Sequence, residues 1–197
     1  QLRRRLPKAT FLVQFDEPVI DRVLEGSVPT PSGFSPYKPV EQPIASAALR
    51  LCVESAQTSG ALPGAHSCAT SAPIALLREA GFLFVSIDLT LMSQLARRDR
   101  DEFDEQLGAL FDSERLLFAG LGVDPGARPA PARTVGPLTD ALSRLAIDPG
   151  TVLDQLVLTP TCGLAGVGTL ANVRAVIAEL SAAGRLLRDE RVDLQER

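Results

Sequence analysis

The chain is poor in the residues that most often announce a function. Among its 197 residues there is one histidine, and its only lysines are Lys8 and Lys38. No basic cluster follows Arg5 and the formal charge is −4, which excludes an electrostatic nucleic-acid binder. No apolar run is long enough to span a bilayer. Arg3, Arg4 and Arg5 are followed by a stretch that Lys8, Gln14 and Asp16 interrupt, which argues against a secretory signal. Three cysteines leave one over in any pairing, so a disulfide framework is not expected, and a reduced, cytoplasmic protein is. There is no Cys-x-x-Cys pair and no internal repeat. No Gly-x-Gly-x-x-Gly follows the first strand-like run, and Gly163–Gly168 lacks the Lys-Ser/Thr of a phosphate loop.

What is present is an ordinary globular composition, 45% apolar and 22% charged, suited to one domain over residues 1–197. Five apolar runs bounded by turn residues predict short buried strands: Thr10–Phe15, Leu62–Cys68, Leu83–Leu89, Arg115–Leu121 and Val152–Thr159. Helical patterns separate them, over Pro18–Leu24, Val40–Ser59, Pro73–Ala80, Leu91–Ser113, Pro137–Leu145 and Gly168–Asp189. On the last of these, Leu170, Val173, Val176, Ile177, Leu180 and Ala183 form a stripe at helical spacing, with Gly184 interrupting near the end. Ser27–Pro39 and Asp124–Pro137 read as long loops. Strands apolar on both faces that alternate with helices imply a parallel α/β sheet. Ligand sites of both (β/α)8 barrels and open doubly wound sheets lie at strand C-terminal ends.

Those ends carry the chemistry. His66 and Cys68 stand at i and i+2, so an imidazole and a thiolate can converge on one point. Cys162 and Asp88, at the ends of other strands, could complete a set of three or four donors for a metal. A lone histidine and two small thiols are also ordinary core residues, and spacing alone does not choose. Asp16 and Glu17, stopped by Pro18, could bind an ammonium group or serve as acid and base. They would equally suit the first turn of a helix. Pro160-Thr161-Cys162-Gly163 is a turn that allows close backbone approach.

Taken in order, these motifs resemble the C-terminal catalytic barrel of cobalamin-independent methionine synthase and its shorter relatives. The correspondence runs from Phe11 to Asp189: Asp16-Glu17-Pro18 ends one strand, His66-Ser67-Cys68 a later one, and Pro160 to Leu164 follows the last. The resemblance implies the last five βα units of a (β/α)8 TIM barrel, with the other strands supplied by an upstream half or a second chain. The opening at Gln1, about ten residues before the first strand-like run, leads to the same expectation.

The resemblance further implies Zn2+ held by His66, Cys68, Asp88 and Cys162, and transfer of a methyl group to homocysteine to form methionine. Asp16 would pair with the substrate amino group beside Glu17, and the donor would be a folate or a methylcorrinoid. Alternatives are a barrel alkyltransferase acting on another thiol, or a non-catalytic structural zinc domain. Two departures stand out. Ser86-Ile87-Asp88-Leu89-Thr90 offers Asp where the family has Glu, one methylene longer. Gly122-Val123-Asp124-Pro125 lacks the His that the long enzymes carry in this context.

Overall fold

A computed structural model describes residues 2–195, with side chains from 4 to 189. Five parallel strands, β1 (Leu12–Asp16), β2 (Leu62–Ser67), β3 (Phe84–Asp88), β4 (Leu116–Leu121) and β5 (Leu156–Pro160), form one sheet in the order β1-β2-β3-β4-β5. After the short α1 (Leu2–Arg5) the helices are α2 (Ile20–Glu25), α3 (Gln42–Thr58), α4 (Ile74–Ala80), α5 (Arg97–Asp112), α6 (Pro131–Arg144), α7 (Pro149–Val152) and α8 (Leu170–Gln195). Every neighbouring pair of strands is consecutive in the chain. Right-handed crossovers that all advance in one direction put their helices on one side of such a sheet.

The pleat sorts the side chains accordingly. Phe15, Ala65, Val85, Ile87, Leu117, Ala119, Leu121, Leu156 and Leu158 share the helix-covered face and join the apolar core. The intervening positions point to the other face: Leu12, Gln14, Asp16, Gly64, His66, Phe84, Ser86, Phe118, Gly120, Val157 and Thr159. Leu12 is 46% exposed and Val157 39%, so this open face is uncovered at both edges of the sheet. Its centre is closed by two aromatic rings, Phe84 and Phe118, stacked at 4.3 Å between centroids. Gly64 is needed there, because a Cβ would collide with the Phe84 ring.

The strands fall where the sequence predicts them, with differences at their ends. Residues 152–155 are not strand: Asp148 accepts from the Gly150 N–H at 2.8 Å and starts α7, so Val152 ends a helical turn. The single helix expected over Leu91–Ser113 divides into a 3-10 segment, Leu89–Gln94, and α5, with extended backbone at Leu95 and Ala96 between them. The loop expected over Asp124–Pro137 ends earlier, at Pro131, which occupies the first turn of α6 while Pro137 lies inside it. Burial of Val135, Leu138, Ala141 and Leu142 outweighs the hydrogen bond that Pro137 cannot make. Gly184 does not interrupt α8. On that helix Val176, Leu180 and Ala183 are buried while Leu170 and Ile177 are exposed, so the apolar stripe is narrower than its spacing suggests. Glu179 is buried instead, accepting at 2.9 Å from the Ala130 N–H and from the Thr134 hydroxyl, and so fixes the start of α6. Among the described residues no helix is long and apolar enough to cross a membrane.

Candidate metal centre

Three of the four expected ligands meet. One donor atom each from His66, Cys68 and Cys162 lies within 4.8 Å of the others, at the C-terminal end of the sheet. His66 and Cys68 arrive together because they are two residues apart at the end of β2. Cys162 comes from much further away. In a flat sheet β2 and β5 would be separated by three strand spacings, about 14 Å. The turn after β5 folds across the end of β4. Gly120 makes that crossing possible: a Cβ there would lie 2.6 Å from the Ile87 carbonyl oxygen and 3.1 Å from the Thr161 Cα. Gly120 carries no signal of its own in the sequence, since its role depends on a neighbour that only the fold supplies.

The histidine is set up to donate. His66 is only 7% exposed and its Nδ1 lies 3.0 Å from the Ser86 hydroxyl, whereas its Nε2 is buried without any partner. A buried polar atom with no partner in a folded protein calls for an explanation. An imidazole nitrogen beside two thiols fits a soft or borderline metal such as zinc. Burial pushes the Cys68 thiol up, and Cys162 adds to this through its charge and a hydrogen bond, with Asp88 contributing a further charge. Two thiolates side by side thus repel one another, and a dication offsets that repulsion. The donor set fits a metal ion.

Asp88 stands near enough to act on Cys68 electrostatically but outside the three-residue cluster. Its Oδ1 is occupied, accepting from the Thr90 N–H at 2.9 Å and the Thr90 hydroxyl at 2.6 Å. A one-methylene-shorter carboxylate engaged in capping the following 3-10 segment adds negative charge near Cys68 more readily than it bonds a metal.

Asp16 is in register with His66 on the adjoining strand, and its Oδ1 accepts from the Gln14 amide at 2.8 Å. The next residue extends the ladder, the Glu17 N–H donating to the His66 carbonyl at 2.7 Å. Burial raises the Glu17 carboxyl above its ordinary value of 4.5, and the charge of Asp16 raises it further. Both acids therefore stand beside His66 at the end of the sheet. Thr159 was not anticipated from sequence. It occupies the open face level with Gly120 and carries a buried hydroxyl without a partner.

The raised Glu17 has a measurable consequence. A carboxyl whose folded value exceeds its unfolded value contributes stability below the unfolded value and loses it as pH rises through the folded one. Glu17→Gln removes that loss. Its melting temperature is expected to match the parent below pH 4.5 and to exceed it at neutral pH. Thermal melts across pH 4 to 8 check this, and a gap that widens toward acid would contradict it.

No protein-family model matches this sequence, and no curated protein does.

Proposed function

We propose that the chain is the C-terminal part of a zinc-dependent methyltransferase that methylates the thiol of homocysteine, similar to cobalamin-independent methionine synthase. The observation that carries this reading is the convergence of His66, Cys68 and Cys162 at the C-terminal end of a parallel sheet. In a (β/α)8 barrel that end holds the active site. The strictly sequential strand order supports the last five units of such a barrel, since a doubly wound sheet reverses direction at a switch point. Further strands, from the same polypeptide or another, would pair with β1 and β5 and cover the open face.

His66, Cys68 and Cys162 would hold the ion. When bound, zinc supplies the acidity that removes a thiol proton at neutral pH, leaving the nucleophilic form. The remaining work falls to side chains of this chain. Asp16, at the exposed end of β1, pairs with the substrate ammonium group and orients it. Glu17 keeps its proton to higher pH than an ordinary carboxyl, through burial and the neighbouring charge of Asp16. Cys162 is exposed, which leaves the cluster accessible on one side and favours an exchangeable site over a closed structural one.

The donor is proposed to be one that needs no protonation before transfer, such as a methylated corrinoid. The loop after β4 carries Asp124, whose Oδ1 is engaged by the Gly126 N–H, where the long enzymes have a histidine. The test uses the chain completed by its companion strands, loaded with zinc and given homocysteine. Turnover with methylcobalamin is expected. Efficient turnover with methyl-folate alone would overturn the donor assignment, and turnover with neither, at full zinc loading, would overturn the methyltransferase reading.

A further inference from the structure

We infer that Ser86 is a positioning residue that fixes the His66 imidazole in the Nδ1–H form and so presents Nε2 as a metal donor. The inference rests on the metal reading of the His66, Cys68 and Cys162 cluster. Ser86 and His66 are direct partners in the β2–β3 register, so their side chains leave the sheet side by side on the open face. Both are more than nine-tenths buried, Ser86 at 5% and His66 at 7% exposure. The hydroxyl lies 3.0 Å from Nδ1. On the other side of His66 in the register stands Asp16, whose Oδ1 is taken by Gln14, leaving Ser86 as the partner of the ring.

The direction of this hydrogen bond follows from what lies at the opposite nitrogen. Were the serine to donate to Nδ1, the ring proton would sit on Nε2, a buried donor with nothing to receive it. A buried nitrogen without a partner carries a desolvation penalty as donor or acceptor alike, and a metal ion relieves it only where that nitrogen is bare. With the proton on Nδ1, the serine oxygen accepts it and Nε2, the ring nitrogen without a partner, keeps a bare lone pair. Metal-binding histidines characteristically donate the other ring N–H to an oxygen, which fixes tautomer and ring orientation. Here a neutral hydroxyl fills that role in place of a carboxylate. A serine oxygen orients the ring without adding negative charge to a site that already contains two thiols and Asp88.

Because the chain contains a single histidine, the tautomer can be read without ambiguity. Protein labelled with 15N-histidine is observed by NMR, metal-free and at a pH where the ring is neutral. The parent chain is expected to show the proton on Nδ1. Ser86→Ala is expected to move it toward Nε2 or to an exchanging mixture, and Ser86→Thr, which keeps the hydroxyl, to restore the parent pattern. Zinc affinity measured by chelator competition is expected to fall about 10- to 100-fold in Ser86→Ala and to recover in Ser86→Thr. The metal-free melting temperature of each variant separates this effect from general damage to the fold.

A parent chain with its proton on Nε2, or a Ser86→Ala chain with the parent's tautomer and affinity, overturns the role of Ser86. A parent chain with the Nδ1–H tautomer and no affinity for zinc leaves the Ser86–His66 bond standing and overturns the metal reading instead.

Discussion

Purified without chelator, a Cys162→Ser chain is expected to carry almost no zinc, against about one ion for each parent molecule. The serine oxygen remains protonated at neutral pH and is a far weaker ligand than a thiolate, so only His66 and Cys68 are left. Two ligands two residues apart at the end of one strand do not hold zinc tightly. The loss also removes a tie between β2 and β5. A ligand that binds only the folded state stabilises it by about 4 kcal/mol when present at 1,000 times its dissociation constant. Added zinc should therefore raise the melting temperature of the parent and leave Cys162→Ser unchanged. Cys52, on α3 and outside the cluster, provides the control: Cys52→Ser should retain both zinc and its stabilisation. Equal zinc in parent and Cys162→Ser would remove Cys162 from the site.

Gly120→Ala should damage both stability and metal binding, although it adds one methyl group and touches no ligand. The new carbon would stand 2.6 Å from the Ile87 carbonyl oxygen and 3.1 to 3.2 Å from the Thr161 and Asp88 Cα atoms. All three are backbone atoms, so no side-chain rotation relieves the clash. Overpacking of this kind costs about 1–3 kcal/mol, and here the relief available is for β3 and the β5 turn to move away from β4. That movement draws Cys162 away from His66. Urea unfolding should show a lower midpoint, and zinc titration a weaker site. Gly136 offers the contrast. It lies in α6 with nothing within 4 Å of its notional Cβ, and Gly136→Ala should be neutral or stabilising by about 0.5–1 kcal/mol. If Gly120→Ala behaved like Gly136→Ala, the close crossing over β4 would not be what assembles the site.

The sequence was most legible where one period dominated. β4 is an unbroken apolar run and β3 is apolar apart from Ser86 and its terminal Asp88, and their limits follow within a residue or two. The pair His66 and Cys68 could be placed on one face from alternation alone. That Cys162 joins them could not be derived from spacing, because it depends on how the turn after β5 crosses the end of β4 at Gly120. The first half of α6, residues 131–136, was hidden by its prolines, since local propensity opposes it and tertiary burial supports it, whereas the half from Pro137 onward was readable. Asp88 illustrates another limit. Its position at a strand end was readable, but its capture by Thr90 is set by the 3-10 segment that begins immediately afterwards. Ser86 gave no signal of its own, being one serine in an apolar strand until the register set it beside His66.

The strictly sequential order of the sheet also bears on how the molecule opens. The middle strands are buried on both sides, whereas β1 and β5 are exposed or only partly covered along their lengths. Local opening free energies in proteins climb from such frayed margins toward the protected centre. His66 and Ser86 belong to that centre, while Asp16 and Cys162 hang from the two margins. In a fluctuating molecule the imidazole and its serine would thus form a standing half-site, and the thiol and carboxylate from the margins would come and go around it. Whatever pins down the margins, a metal ion or neighbouring strands, would set the fraction of time for which the cluster exists as a whole.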